Sequence, residues 1–126
     1  MLPGVDDGSD SMDTSLLMAS MAAESGVETV IVTPHCNIPG EAANYPSREL
    51  LGRFMALRET IDAAKIPLRI LAGAEVFCTA DIAELIRAKK LLTLASSRYI
   101  LVEFAFNEDS IEMNSCLEQI FAEGLT

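Results

Sequence analysis

The chain has 126 residues, half of them apolar, and a formal net charge of −10. That is enough for one domain, or a piece of one, with a real core, and the acidic balance argues against nucleic acid or an anionic membrane surface as partner. No apolar run is long enough for membrane insertion, and no basic-then-apolar leader opens the chain, so a cytoplasmic setting is expected.

The elements follow in order. Leu2-Pro3-Gly4-Val5-Asp6-Asp7-Gly8-Ser9 is a loop rich in turn residues. From about Met12 to Ser25, Met12, Leu16, Ala19 and Ala23, with Leu17 and Met21, follow helical spacing, and Gly26 supplies the stop. Thr29-Val30-Ile31-Val32-Thr33 is a short β-branched strand closed by Pro34, which holds the residue before it extended and presents His35, the sole histidine. Cys36 to Pro46 lacks periodicity and reads as a long loop beside His35. Ser47 caps a second helix running to about Lys65, with Leu50, Leu51, Phe54, Leu57, Ile61 and Ala64 on its inner face.

Pro67 ends that helix, and Leu68–Ala72 is a second strand leading into Gly73-Ala74-Glu75. Thr79 or Asp81 caps a third helix to about Lys89, Tyr99–Phe104 is a third strand, and Asp109 or Ser110 opens a last helix that stops at Gly124. Strict alternation of helices with apolar strands implies an α/β fold with a parallel sheet and right-handed crossovers. Three strands cannot close a barrel and leave an open edge on each side, so the pattern reads as part of a larger domain.

Each strand delivers one potential metal ligand at or just past its C-terminal end: His35, Glu75 and Glu103. Neighbouring strands lie about 5 Å apart, so such ends can converge on a small cluster of cations. Glu103 interrupts Tyr-Ile-Leu-Val-Glu-Phe, where a charge is costly unless paired or metal-bound. Glu75 follows Ala72-Gly73-Ala74, which permits close approach of backbone or ligand, although an exposed carboxylate after a turn would read the same. Asp6 and Asp7 stand before a glycine and a helix, so turn chemistry accounts for at least one of them, and Asp7 is the fourth candidate ligand. Imidazole with carboxylates suits Mn²⁺, Fe²⁺ or Zn²⁺.

Rival chemistries lack their residues. The positions six after Cys36, Cys78 and Cys116 are Ala42, Glu84 and Ala122, so no cysteine-phosphatase arginine follows. Gly-x-Ser-x-Gly, the phosphate loop and the dinucleotide fingerprint are absent. The cysteines are odd in number and widely spaced, a pattern that predicts reduced thiols.

Four motifs in order, Leu-Pro-Gly-Val-Asp-Asp-Gly-Ser, Thr-Pro-His, Gly-Ala-Glu and Tyr-Ile-Leu-Val-Glu-Phe, resemble those of the polymerase-and-histidinol-phosphatase (PHP) superfamily. Within it they are most similar to the manganese-dependent protein-tyrosine phosphatases of bacterial capsule and exopolysaccharide operons. The resemblance implies a distorted, TIM-like barrel of about seven βα units with a multinuclear metal centre at its mouth. It implies hydrolysis of phosphotyrosine on the autokinase of polysaccharide export by metal-activated water, with Mn²⁺ as the expected ion and Fe²⁺ or Zn²⁺ as alternatives.

It selects Asp7 over Asp6 as a metal ligand and adds His35, Glu75 and Glu103. The family's opening His-x-His would stand just before residue 1, and further ligands and a phosphate-binding arginine just past Thr126. Many relatives also carry a second histidine where this chain has Cys36. Residues 1–126 are thus expected to form an incomplete PHP domain, roughly the first half of the barrel, with little or no activity alone. The alternatives are a PHP-type phosphoesterase for a small phosphate ester, or a non-catalytic fragment that associates through its open sheet edges.

Overall fold

A computed structural model describes residues 1–41 and 43–126. Helix α1 (Met12–Glu24) begins where the Ser11 hydroxyl accepts the Thr14 N–H at 3.2 Å. It ends ahead of Gly26, whose φ of 87° takes the chain out of the helix. Helix α2 (Arg48–Ala63) begins at Ser47, whose hydroxyl accepts the Leu50 N–H at 3.0 Å. Helix α3 (Ile82–Arg87) stops short of the expected Lys89, because Lys89 takes φ 53°. Asp81 precedes α3 without capping it, since its carboxylate accepts the Thr79 hydroxyl instead, at 2.6 Å. Helix α4 (Ser110–Ala122) is capped by Asp109, which accepts the Ile111 N–H at 2.8 Å.

The strands form β1 (Thr29–Val32), β2 (His35–Cys36), β3 (Arg69–Ala72), β4 (Glu75–Phe77) and β5 (Leu101–Glu103), all paired parallel. A single line of chain runs through β1 and β2, and another through β3 and β4. Val32 C=O accepts the Gly73 N–H, and Pro34 C=O accepts the Glu75 N–H, both at 3.0 Å. The rung between them would come from the N–H that proline lacks, so the ladder is interrupted without losing its phase. His35 and Glu75 therefore open second strand segments, rather than lying just past strand ends as the sequence suggested, and Cys36 belongs to β2 rather than to the loop. A Cβ at Gly73 would come within 2.9 Å of Ile31 Cγ2 and 3.2 Å of Leu94 Cδ2, so glycine leaves room for the side chains that cover this point of the sheet.

Two apolar clusters fill the helix-covered side. The lower one packs α1 and α2 against β1 and β3 around Leu57, Ile61, Val32 and Ile70. The upper one packs α3 and α4 against β2 and β4 around Ile82, Ile120, Val76 and Cys36. On α2 the inner face is narrower than expected: Leu51 lies off the Leu50–Leu57–Ile61 line and Ala64 falls in the cap, and both are exposed. In the upper cluster Cys78 and Cys116 are paired as a disulfide with a Cα–Cα distance of 6.5 Å, which corrects the expectation of three free thiols. They lie 38 positions apart, and only the packing of α4 against the end of β4 brings them together. Cys36 alone is free, and it is buried.

This is a mixed α/β architecture with parallel strands, and among the described residues no sheet closes into a barrel. Nor is any described helix long and apolar enough to cross a membrane.

Candidate metal centre

Side chains alternate faces along a strand, so the register places His35 beside Glu75, and Glu103 two residues beyond Leu101, the partner of Glu75. All three then project from the face that the helices leave open. Ligand atoms of His35, Glu75 and Glu103 lie within 4.8 Å of one another. His35 Nδ1 is 3.3 Å from Glu103 Oε2 and 3.4 Å from Glu75 Oε2. Asp7 approaches from the first loop, its Oδ1 3.4 Å from His35 Nε2, and its side chain is 85% exposed. The imidazole thus stands between two glutamates at one nitrogen and Asp7 at the other. Three of the four residues expected from sequence form a group around Nδ1, and Asp7 faces the ring's opposite edge.

Two atoms carry the argument for a ligand. His35 Nδ1 and Glu103 Oε2 are buried and have no hydrogen-bond partner among the described residues. Buried polar atoms are nearly always partnered, and a carboxylate facing an imidazole nitrogen is a donor set of the kind divalent metals take. The residues present therefore fit such an ion. Burial works to lower the pKa of His35, but the carboxylates of Asp7, Glu103, Glu75 and Asp6 outweigh it and hold the imidazole above its ordinary value. A cleft of about 210 Å³ reaches the group between the first loop and β1, with Asp7, Thr33, His35 and Glu75 in its wall.

Two further side chains touch His35. Asp6 Oδ2 accepts the His35 N–H at 2.6 Å while its Oδ1 accepts the Gly8 N–H at 2.9 Å. The Asn44 amide donates to His35 C=O at 2.9 Å. Turn chemistry was legible for Asp6 in its Asp-Asp-Gly setting and accounts for the Gly8 bond. Nothing in the sequence signalled the His35 bond, because its partners are 29 positions apart. Asn44 sits in an aperiodic loop and carried no signal.

Fold and site together define a parallel α/β protein with a histidine–carboxylate group suited to a divalent metal. A family model described as capsular polysaccharide synthesis, CpsB/CapC, matches residues 1–126, and the chain belongs to that family. It is 33% identical over 114 residues to the tyrosine-protein phosphatase YwqE of Bacillus subtilis, covering 85% of this chain and 41% of that protein. It is 30% identical over 122 residues to the tyrosine-protein phosphatase CpsB of Streptococcus pneumoniae, covering 97% and 49%. In three dimensions it is similar to a solved structure from work on YwqE and CpsB, described as metal-dependent tyrosine phosphatases. The TM-score is 0.85 at 29% identity, covering 98% of this chain and 49% of the other. The chain spans about half the length of the relatives it matches. The resemblance read from the four motifs is borne out at the level of the family.

Proposed function

We propose that the chain is part of a metal-dependent protein-tyrosine phosphatase of capsule or exopolysaccharide synthesis, in which residues 1–126 make up about half of a PHP-type barrel. Its substrate class is a phosphotyrosyl protein, with the autokinase of polysaccharide export as the expected partner, in the cytoplasm. Asp7, His35, Glu75 and Glu103 are its metal ligands, with Mn²⁺ the expected ion, Fe²⁺ or Zn²⁺ the alternatives, and a multinuclear centre in the complete domain. The observation that carries this reading is the pair of buried, unpartnered atoms, His35 Nδ1 and Glu103 Oε2, facing each other at 3.3 Å. The names of the relatives support the phosphotyrosine assignment.

Metal chemistry at this point supplies Lewis-acid activation of a phosphoryl group and of the attacking water. The chain's own residues provide the rest. His35 and the two glutamates hold their donor atoms on the open face, and the buried opposite face keeps them from scattering. Beyond Asp6 a groove of about 350 Å³, bordered by Asn44, Tyr45 and Arg53, would receive the residues flanking a phosphotyrosine.

Calorimetric titration of Mn²⁺ into wild type and His35→Ala tests the ligand set. Uptake by wild type and its loss in the variant are expected; equal uptake by both, or none by wild type, overturns the reading. Hydrolysis of a phosphotyrosine peptide by the chain alone is expected to be slight, and restoring the remaining half of the domain is expected to bring it up. A second reading rests on the outer edges of β1 and β5, which have no strand partner among the described residues. Through them the chain would pair with a second copy, and gel filtration would show a dimer.

A further inference from the structure

We propose that Asp6 is a positioning residue for the metal centre. Its carboxylate, together with the Asn44 amide, holds the main chain of His35 so that the imidazole meets Glu75 and Glu103. The proposal rests on the reading of those three residues as a metal site.

The reason lies in the ladder. Pro34 C=O points to β4, where it accepts the Glu75 N–H at 3.0 Å. Successive residues of a strand turn their main-chain groups to opposite sides, so the N–H and C=O of His35 face the outer edge, where no described strand pairs with β2. Left there, the segment that carries the imidazole would be held along one side only, directly after a rung that proline cannot make. Two side chains occupy that edge. Asp6 takes the N–H at 2.6 Å, a short bond of the charge-assisted kind, and Asn44 takes the C=O at 2.9 Å.

Both residues adopt left-handed backbone to do so, Asp6 with φ 48° and Asn44 with φ 48°, a conformation that Asp and Asn tolerate better than other L-residues. Asp6 does more than mimic a strand. Through its second oxygen it accepts the Gly8 N–H, which folds the loop around Asp7 and sets that carboxylate 3.4 Å from His35 Nε2. One carboxylate thereby couples both flanks of the ring.

The test uses the whole chain with Mn²⁺ as the probe. Asp6→Ala is expected to weaken Mn²⁺ binding by about 10- to 100-fold, as loss of an outer-shell partner typically does, and Asp6→Asn, which keeps one acceptor oxygen, by less. Asp109→Ala, which removes the α4 cap and none of the contacts to His35, is the control for lost stability and is expected to bind as wild type does. In the metal-free chain the His35 amide proton is expected far downfield and slow to exchange, and to lose both properties in Asp6→Ala. If Asp6→Ala binds Mn²⁺ no worse than Asp109→Ala, or if the His35 amide does not move, the positioning role is overturned. Should Asp6→Ala not fold, Asp6→Asn carries the same comparison. A wild-type chain that takes up no Mn²⁺ overturns the metal reading instead, and the amide measurement then decides alone whether Asp6 sets His35.

Discussion

His35 and Cys36 are adjacent in the chain and lie on opposite faces of the same strand, and almost everything about their surroundings differs. Cys36 is fully buried under the helices, and burial alone pushes its thiol from an ordinary value near 9 to about 11. His35 lies half-buried among carboxylates that favour its charged form. One face of the sheet is filled with apolar atoms and rewards packing. The other gathers three carboxylates around one imidazole and leaves His35 Nδ1 and Glu103 Oε2 without a hydrogen bond among the described residues, a set that a divalent ion would complete. A single residue step separates the part of the molecule that holds it together from the part that is arranged for chemistry.

The contrast is broken most severely by placing the same charge on each face. Val76→Asp buries a carboxylate at a position with no solvent exposure and is expected to abolish cooperative unfolding. Leu101→Asp, on the open face at 36% exposure, is expected to leave a cooperative urea transition. Circular dichroism across a urea series distinguishes them, and equal damage from both would show that the open face is a core as well. Next in size, Leu57→Ala in the lower cluster is expected to cost about 2–5 kcal/mol by urea unfolding, from lost contacts and the cavity left behind.

Glu103→Gln sharpens the comparison from the other side. It removes the carboxylate 3.3 Å from His35 Nδ1 while keeping the side chain's size, so in chelator its unfolding free energy is expected to fall by no more than about 1 kcal/mol, while Mn²⁺ uptake measured by calorimetry falls steeply. A loss of stability like that of Leu57→Ala would place Glu103 among the packing residues. Near neutral pH the smallest effect belongs to Cys36. A thiol whose folded pKa is raised contributes stability that is whole below its unfolded value, near 9, and is lost as pH climbs toward about 11. Cys36→Ser should flatten that alkaline decline in a pH series of thermal melts. Thiol titration of the unreduced, denatured chain should count one free cysteine, and three after reduction, since Cys78 and Cys116 are paired.

Much of this was legible in advance. The cap at Ser47, the start of α4 at Asp109 or Ser110, the stop at Gly26 and the β-branched run before Pro34 act within a few residues of themselves, so local rules found them. Glu103 stood out because a charge inside an apolar strand needs a reason. Other features were hidden because they depend on residues far apart in sequence. The Cys78–Cys116 pair, the Asp6 bond to His35 and the amide of Asn44 on the same main chain join positions that no spacing rule connects. The early end of α3 was missed because Lys89 leaves the helix through a left-handed turn that lysine does not advertise.

The order of residues was enough for the alternation of helix and strand, the parallel sheet it demands and the candidates His35, Glu75 and Glu103, because these follow from periodicity, proline and glycine acting locally, while the choice of Asp7 over Asp6 came from the family resemblance. It took the packed chain to show that His35, Glu75 and Glu103 share one point while Asp7 meets the far side of the ring. It alone revealed the hold of Asp6 and Asn44 on His35. Register does this: hydrogen bonds between distant strands and loops set which side chains stand level with one another, and a one-residue slip would turn His35 under the helices and Cys36 out toward Glu75 and Glu103.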